Sequence, residues 1–455
     1  MKKLTNFNLF TMVYGSTIGS GIFLLIGVAI GGAGHSLPLA VLVGGAYVIF
    51  SMLFAYVISS FVPLDGGIYS QLNFIGMPVF TGAMALSNLL NATMISGFAT
   101  GIMDYMAALI PGIAPYSKVL AVVLILLFFA VNTKSMGSSA KVQNIMTVVL
   151  ITSLLTFGIY GLTKVDFGGF RSDPNFFLGG GSGFINAAAL MGFACAGGEA
   201  TGFNLARDIK DPTRNVPKVT LLAVLAAVVT YLLMSIVAAG VLPVEQVMYQ
   251  PLSVVADAIF PKPLYLFFVI GGAVFALLTS LNGLMAGIRY PLEAAANDGW
   301  LPALFKKKTE KGYPTAIMIM VLVLALIPTI FGISFDTLAT MAALSTLPLY
   351  IYANIVCIKL PKQYPNLWKK SMFHMPYPLY VCMMLLATGA AIFYAYSYVA
   401  DYETSFLLTA VAVIAVLYAV CFVRVKTGGV DIVAMQANKE RIAAEIAAAN
   451  KSVEA

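Results

Sequence analysis

Gly15-Ser16-Thr17-Ile18-Gly19-Ser20-Gly21-Ile22-Phe23 lies in the middle of the first long apolar run of the chain, residues 6–33. Each glycine in a helix interior costs about 1 kcal/mol relative to alanine. Three of them so close together predict a break rather than a continuous helix. A second cluster, Gly192-Phe193-Ala194-Cys195-Ala196-Gly197-Gly198-Glu199, interrupts the run 184–206 in the same way. Non-helical backbone at membrane depth survives only where protein buries it or where it lines a cavity. Close packing through small residues accounts for one such cluster. Two of them, mid-membrane in runs one and six, point to a binding site between two inverted repeats.

The composition agrees with a membrane setting. The 455 residues are 60% hydrophobic and only 10% charged, with a mean hydropathy of +0.91. Soluble domains carry about 25% charged residues, so an ordinary soluble enzyme and a disordered chain are both excluded. Cys195, Cys357, Cys382 and Cys421 lie far apart without CxxC spacing, and His35 and His374 are isolated. No disulfide framework, metal centre or cofactor is expected. Residues 15–21 lack the Gly-Lys-Ser/Thr ending of a phosphate loop, and no nucleophile–base pair stands out. Neither an enzyme nor a nucleic-acid partner is expected.

Twelve spans are expected, at about 6–33, 38–62, 78–110, 117–132, 141–162, 184–206, 218–242, 264–297, 314–332, 336–358, 377–398 and 404–424. Crossing a bilayer takes roughly 20 apolar residues. With the N-terminus inside, all of the 26 basic residues except Lys118, Lys164, Arg171 and Lys262 fall on the inner side. The positive-inside rule then places both termini in the cytoplasm of a multi-pass protein of the cytoplasmic membrane. No cleavable signal is read at Met1-Lys2-Lys3. The expected divisions are 1–162 and 163–358 for the two repeats, 359–429 for spans eleven and twelve, and 430–455 for a cytoplasmic tail. That tail is Ala-rich, carries Lys439, Glu440, Arg441 and Glu445, and reads as a solvated helix.

The chemistry follows from backbone geometry. An unwound turn exposes amide N–H groups at the start of the next half-helix, where the dipole favours an anion. The Ser20, Gly21 and Ile22 amides, with the Ser20 hydroxyl, are the expected donors to a carboxylate. Carbonyls near Ser16, Thr17 and Ile18, and near Phe193, Ala194 and Cys195, are the expected acceptors from an ammonium. Gly19, Ala196 and Gly197 complete the two turns, and Asn88 and Asn91 on span three and Asn282 on span eight are candidates for the pocket wall. Donors on one side and carbonyls on the other suit an α-amino acid zwitterion. No second acid stands ready for a guanidinium or extra amine, which favours a neutral amino acid.

These residues resemble a known family. Residues 15–23 are similar to the G-x-x-I-G-S-G-I-F signature of the amino acid–polyamine–organocation (APC) transporter superfamily. Further stretches agree in order: Pro63-Leu64-Asp65-Gly66-Gly67-Ile68-Tyr69, Lys141-Val142-Gln143-Asn144, Lys210-Asp211-Pro212-Thr213-Arg214-Asn215-Val216-Pro217, Ser280-Leu281-Asn282-Gly283 and Asn297-Asp298-Gly299-Trp300-Leu301-Pro302. The resemblance covers about residues 5–425. It implies an all-α membrane protein of twelve transmembrane helices, built as a LeuT-like five-plus-five inverted repeat with helices one and six broken, plus helices eleven and twelve. It implies alternating access, an amino acid held between the two unwound turns, and Phe193 as an aromatic gate. Two departures stand out: Val57 where many relatives carry a glutamate, and Leu150 where several branches carry a lysine bridging helices one and eight. Pro291 inside helix eight predicts a kink or an early end.

Glu199 is the one carboxylate deep in a span, and an intramembrane acid is a functional candidate by default. It is expected either to tether the broken helix or to carry a coupling proton. Thr279 and Ser280, adjacent hydroxyls on helix eight, are candidates for a sodium site or for simple capping of helical carbonyls. Arg289 and Glu293, one turn apart, are expected to pair. The expected function is secondary transport of neutral amino acids, by exchange or coupled to sodium or protons. An amine transporter on the same fold and a non-translocating amino-acid sensor are the alternatives. The expected partners are a small amino acid and the lipid bilayer; the sequence leaves the oligomeric state open.

Overall fold

The structure, a computed structural model, describes residues 3–444 except 20, 135, 169, 171–173, 311, 400–403, 434, 438 and 443. Ser20, one of the expected carboxylate donors, therefore lies outside the described residues. The described elements are helical, and the one pairing of extended segments is an isolated bridge between Leu4 and Ile209.

The first apolar run forms two helices, α1 (Asn6–Thr17) and α2 (Gly21–Ala33). Thr5 caps α1 through a reciprocal pair with Asn8, satisfying two otherwise orphaned donors. Then follow α3 (Leu37–Ser51), α4 (Leu53–Ser59), α5 (Gly67–Ile75), α6 (Pro78–Leu109), α7 (Ser117–Lys134) and α8 (Met136–Leu162). The sixth run is also two helices, α9 (Gly180–Ala194) and α10 (Gly198–Asn204). The rest of the bundle is α11 (Pro212–Gly240), α12 (Phe275–Gly287), α13 (Arg289–Asn297), α14 (Thr315–Phe331), α15 (Phe335–Cys357), α16 (Tyr377–Val399) and α17 (Thr404–Lys426).

Among the described residues, nine helices are long and apolar enough to cross a membrane. Twelve are expected from the apolar runs, and the difference has local causes. The glycine breaks cut the first and sixth runs into shorter pieces. The apolar helix Thr315–Phe331 is itself short. Helix eight still counts as one span, Lys262–Asn297, but its α-helical stretch is broken at Ile288, where Pro291 predicts a kink: α12 ends at Gly287 and α13 starts at Arg289. Gly287 is the residue whose carbonyl a proline at 291 cannot bond.

The broken pair sits at the centre. α1 packs on α8, α10, α11 and α12, whereas α9 packs on α2 and α3. α7 and α17 lie at the periphery and bury little of their surface, as helices that face lipid do. One end of the bundle gathers the N-terminal segment, residues 204–215, residues 290–308 and the chain after α17. There Lys3 bonds the Arg207 carbonyl and Arg424 bonds the Gly299 carbonyl. The tail departs from its expected form: Val430 and Met435 are each only 4% exposed, so its start is docked rather than solvated.

Candidate functional site

The two breaks meet backbone to backbone. A Cβ on Gly21, at the start of α2, would lie 2.7 Å from Ala194 Cβ and 2.9 Å from Ala194 Cα, at the end of α9. A Cβ on Gly198, at the start of α10, would lie 2.4 Å from the Val13 carbonyl oxygen of α1. Only glycine permits either approach. Gly197 adopts φ +99°, a conformation that side chains with a Cβ rarely take, and it turns the chain from α9 into α10.

A cavity of about 230 Å³ opens beside these breaks. Ser16, Thr17, Gly19 and Gly21 line it from the first break, and Phe193, Ala194, Ala196 and Gly197 line it from the second. Asn88, Asn91, Glu199, Asn204 and Ser280 are among its other polar residues, with Phe98, Phe335 and Tyr394 among the aromatics. Among the described lining residues Glu199 alone carries a formal charge.

Several expected site residues lie elsewhere. Ile18, Ile22 and Cys195 are fully buried behind the cavity. Asn282 points away from it, into a network with Asn132, Ser139 and Gln143. Its helical register decides this, because Asn282 and the cavity-lining Ser280 are two residues apart and so face different sides of α12.

Hydrogen bonds determine which backbone groups remain available. The Ile18 and Gly19 amides are spent on the Tyr14 and Thr17 carbonyls. Tyr231 of α11 donates to the Ala194 carbonyl at 2.8 Å, and its oxygen faces the Ile22 amide. The Phe193 carbonyl accepts from the Ala196 amide. Ser16 Oγ is buried without a hydrogen-bond partner among the described protein atoms.

Thr279 Oγ1 lies 2.9 Å from the Gly15 carbonyl oxygen and 2.8 Å from that of Ala276, which share its single proton, and Ser280 Oγ lies 3.4 Å from the Gly15 carbonyl. The hydroxyls thus hold the last turn of α1, just before its break, against α12. Gln143 and Thr147 of α8 both bond the Thr11 carbonyl at 3.2 Å, and Asn282 reaches Gln143 at 2.7 Å. Helices one, five and eight are therefore joined by neutral groups, while Leu150 is simply packed in the core.

Glu199 has no exposed surface. Its Oε1 accepts from the Tyr56 hydroxyl at 2.6 Å, and its Oε2 has no hydrogen-bond partner among the described atoms. Arg289 and Glu293 do not pair with each other. Arg289 lies 3.5 Å from Asp208, and Glu293 binds Arg207 at 3.0 Å and also Lys308. Residues remote in sequence converge there, and they outcompete the one-turn neighbour.

Residues 4–421 match the amino acid permease family. The chain belongs to that family. It is 26% identical over 420 residues to the methylthioribose transporter of Bacillus subtilis, covering 87% of this chain and 88% of that one. It is 24% identical over 394 residues to the branched-chain amino acid permease BcaP of Bacillus subtilis, covering 80% and 82%. It is 26% identical over 361 residues to the lysine-specific permease LysP of Lactococcus lactis, covering 72% and 70%. The family and the apolar helices together make the chain a multi-pass membrane protein of a permease family, not of an enzyme family.

Sequence reasoning assigned no role to three residues that hold the site: Tyr56, Tyr231 and Gln143. Tyr56 and Tyr231 are polar groups deep in apolar runs, and Gln143 stands near the start of one, within the family-like stretch Lys141-Val142-Gln143-Asn144.

Proposed function

We propose that this chain is a secondary transporter of neutral amino acids that works by alternating access in the cytoplasmic membrane, with both termini inside. Twelve crossings arranged as five-plus-five repeats, 1–162 and 163–358, place α1–α2 and α9–α10 in equivalent positions. The observation that carries the reading is the apposition of Gly21 and Ala194 beside one cavity. The start of α2 then supplies the Gly21 amide to a carboxylate. Carbonyls at the ends of α1 and α9 accept from the ammonium, and Phe193 closes over the ligand.

Neutral cargo is favoured because the cavity wall offers one acid and Tyr56 already engages it. For coupling, a proton on Glu199 is favoured over sodium. The Thr279 hydroxyl is committed to the Gly15 carbonyl, the pair of groups a cation would need to separate. The branched-chain permease among the relatives supports an apolar side chain. The methylthioribose transporter motivates a second reading, a cargo without an α-carboxylate.

Thermal stabilisation of purified protein by the twenty amino acids and their decarboxylated analogues tests the site, because a ligand that binds only the native state raises stability by mass action. Shifts restricted to a few neutral amino acids and lost on decarboxylation support the reading. Shifts with amines or methylthioribose alone remove it. Counterflow in proteoliposomes then separates a transporter from a sensor.

A further inference from the structure

A second cavity, of about 510 Å³, lies at the end of the bundle where the N-terminal segment and residues 290–308 meet. The body of the protein contributes Asp65, Arg207, Glu293, Asp298 and Lys308 to its wall. The segment after α17 contributes Lys439, Arg441 and Ile442. The substrate-site reading uses none of these residues.

The segment is fastened at its root. Arg424 donates to the Gly299 carbonyl at 2.9 Å. Gly299 has φ +88°, and a Cβ there would lie 3.7 Å from Val430 Cα. Val430 and Met435 are buried in the main apolar core, and Ile442 packs against it. Beyond this root Lys439 and Arg441 line the same cavity as the acids Asp65, Glu293 and Asp298. There Glu293 of α13 holds Arg207, just after α10, and Lys308.

We propose that Val430, Met435, Lys439, Arg441 and Ile442 belong to a strap across the inner end of the pathway, which must lift before α10 and α13 can separate. The proposal rests on the alternating-access reading given above. The half-helix α10 ends at Asn204, which lines the central cavity, and Arg207 three residues on lines the second one. Opening the central cavity on this side therefore requires the Arg207–Glu293 contact to part, and the strap lines the cavity on which that contact lies. Without the strap, the equilibrium between closed and inward-open forms shifts toward the open form.

The test uses a reporter cysteine, Ala200→Cys, on the central cavity wall, in the full chain carrying Cys382→Ser. The chain without the reporter gives the background. A membrane-impermeant maleimide is applied from the cytoplasmic face. Two variants are compared with the parent: a stop codon at 430, and Lys439→Glu with Arg441→Glu, which leaves the apolar root intact. Labelling is expected to rise about fivefold in both as the inward-open population grows. If the truncated chain fails to fold, the double variant decides alone. Unchanged labelling in a folded double variant overturns the strap. Substrate counterflow on the same proteoliposomes is read separately. Labelling that rises while the parent shows no counterflow supports the strap as a gate on access and overturns the transport reading.

Discussion

The Tyr56 hydroxyl donates to Glu199 Oε1 at 2.6 Å, tying α4 to α10, the half-helix that follows the second break. Tyr56 also sets its ring edge against Phe203 one turn further along α10. The phenol is thus both the partner of the one buried acid in the cavity wall and a packing support for the half-helix that carries it. Tyr56→Phe keeps the ring contact and removes the donor. Removing the donor leaves a buried carboxyl oxygen unpaired, which costs about 1–3 kcal/mol, so a loss of stability within that range is expected in thermal melts. Glu199→Gln retains an acceptor for Tyr56 and should melt close to the parent. If Glu199 carries the coupling proton, uptake by the Gln variant loses its pH dependence. Retention of the full pH profile removes that role.

Gly21→Ala tests the apposition of the breaks. The added methyl meets Ala194 backbone within 2.9 Å and the Tyr231 hydroxyl within 3.2 Å. Overpacking of this kind costs about 1–3 kcal/mol. A lower melting temperature is expected, together with loss of stabilisation by any amino acid that stabilises the parent. An unaltered ligand shift would mean that the carboxylate is held elsewhere.

Ser16→Ala separates a structural hydroxyl from a ligand-binding one. Ser16 Oγ lacks a hydrogen-bond partner among the described protein atoms, and Ser16 lines the cavity. Removing an unpaired buried hydroxyl is close to neutral for the free protein. The ligand-free melting temperature should therefore hold, while affinity falls about fivefold, the worth of one ordinary hydrogen bond. A stability loss without an affinity change would make Ser16 a packing residue.

Glu293→Gln tests the ion-pair cluster around Arg207 and Lys308. The acid is almost buried and holds two cations that are each about a third exposed. Exposure weakens each pair, so a loss of about 1–2 kcal/mol is expected from the combined charge-assisted bonds. Arg207→Gln should cost less, because Lys308 still neutralises the acid. Equal melting shifts would show that the two cations do not share the load.

Sequence reading located the breaks because clustered glycines in an apolar run have few other uses, and it located Pro291 because a missing N–H acts locally. It misplaced Asn282 and the partners of Arg289 and Glu293. Those depend on how helices rotate and where distant segments converge. The wide π turn at Val269–Val274 precedes Asn282 and changes the phase of every later residue on helix eight. Tyr56 and Tyr231 stayed silent because a tyrosine in an apolar run reads as ordinary core until its hydroxyl has a partner.

The contacts at Gly21 and Gly198 have a mechanical consequence. The nearest side-chain atoms at these contacts are the short Ala194 methyl, between α2 and α9, and the Thr17 hydroxyl, between α10 and α1, so neither contact has much slack. A shift in one half-helix is passed to the one it touches with little side-chain rotation to absorb it. Each pair then behaves as two meshed gears, and a spectroscopic label on one member is expected to report the motion of the other.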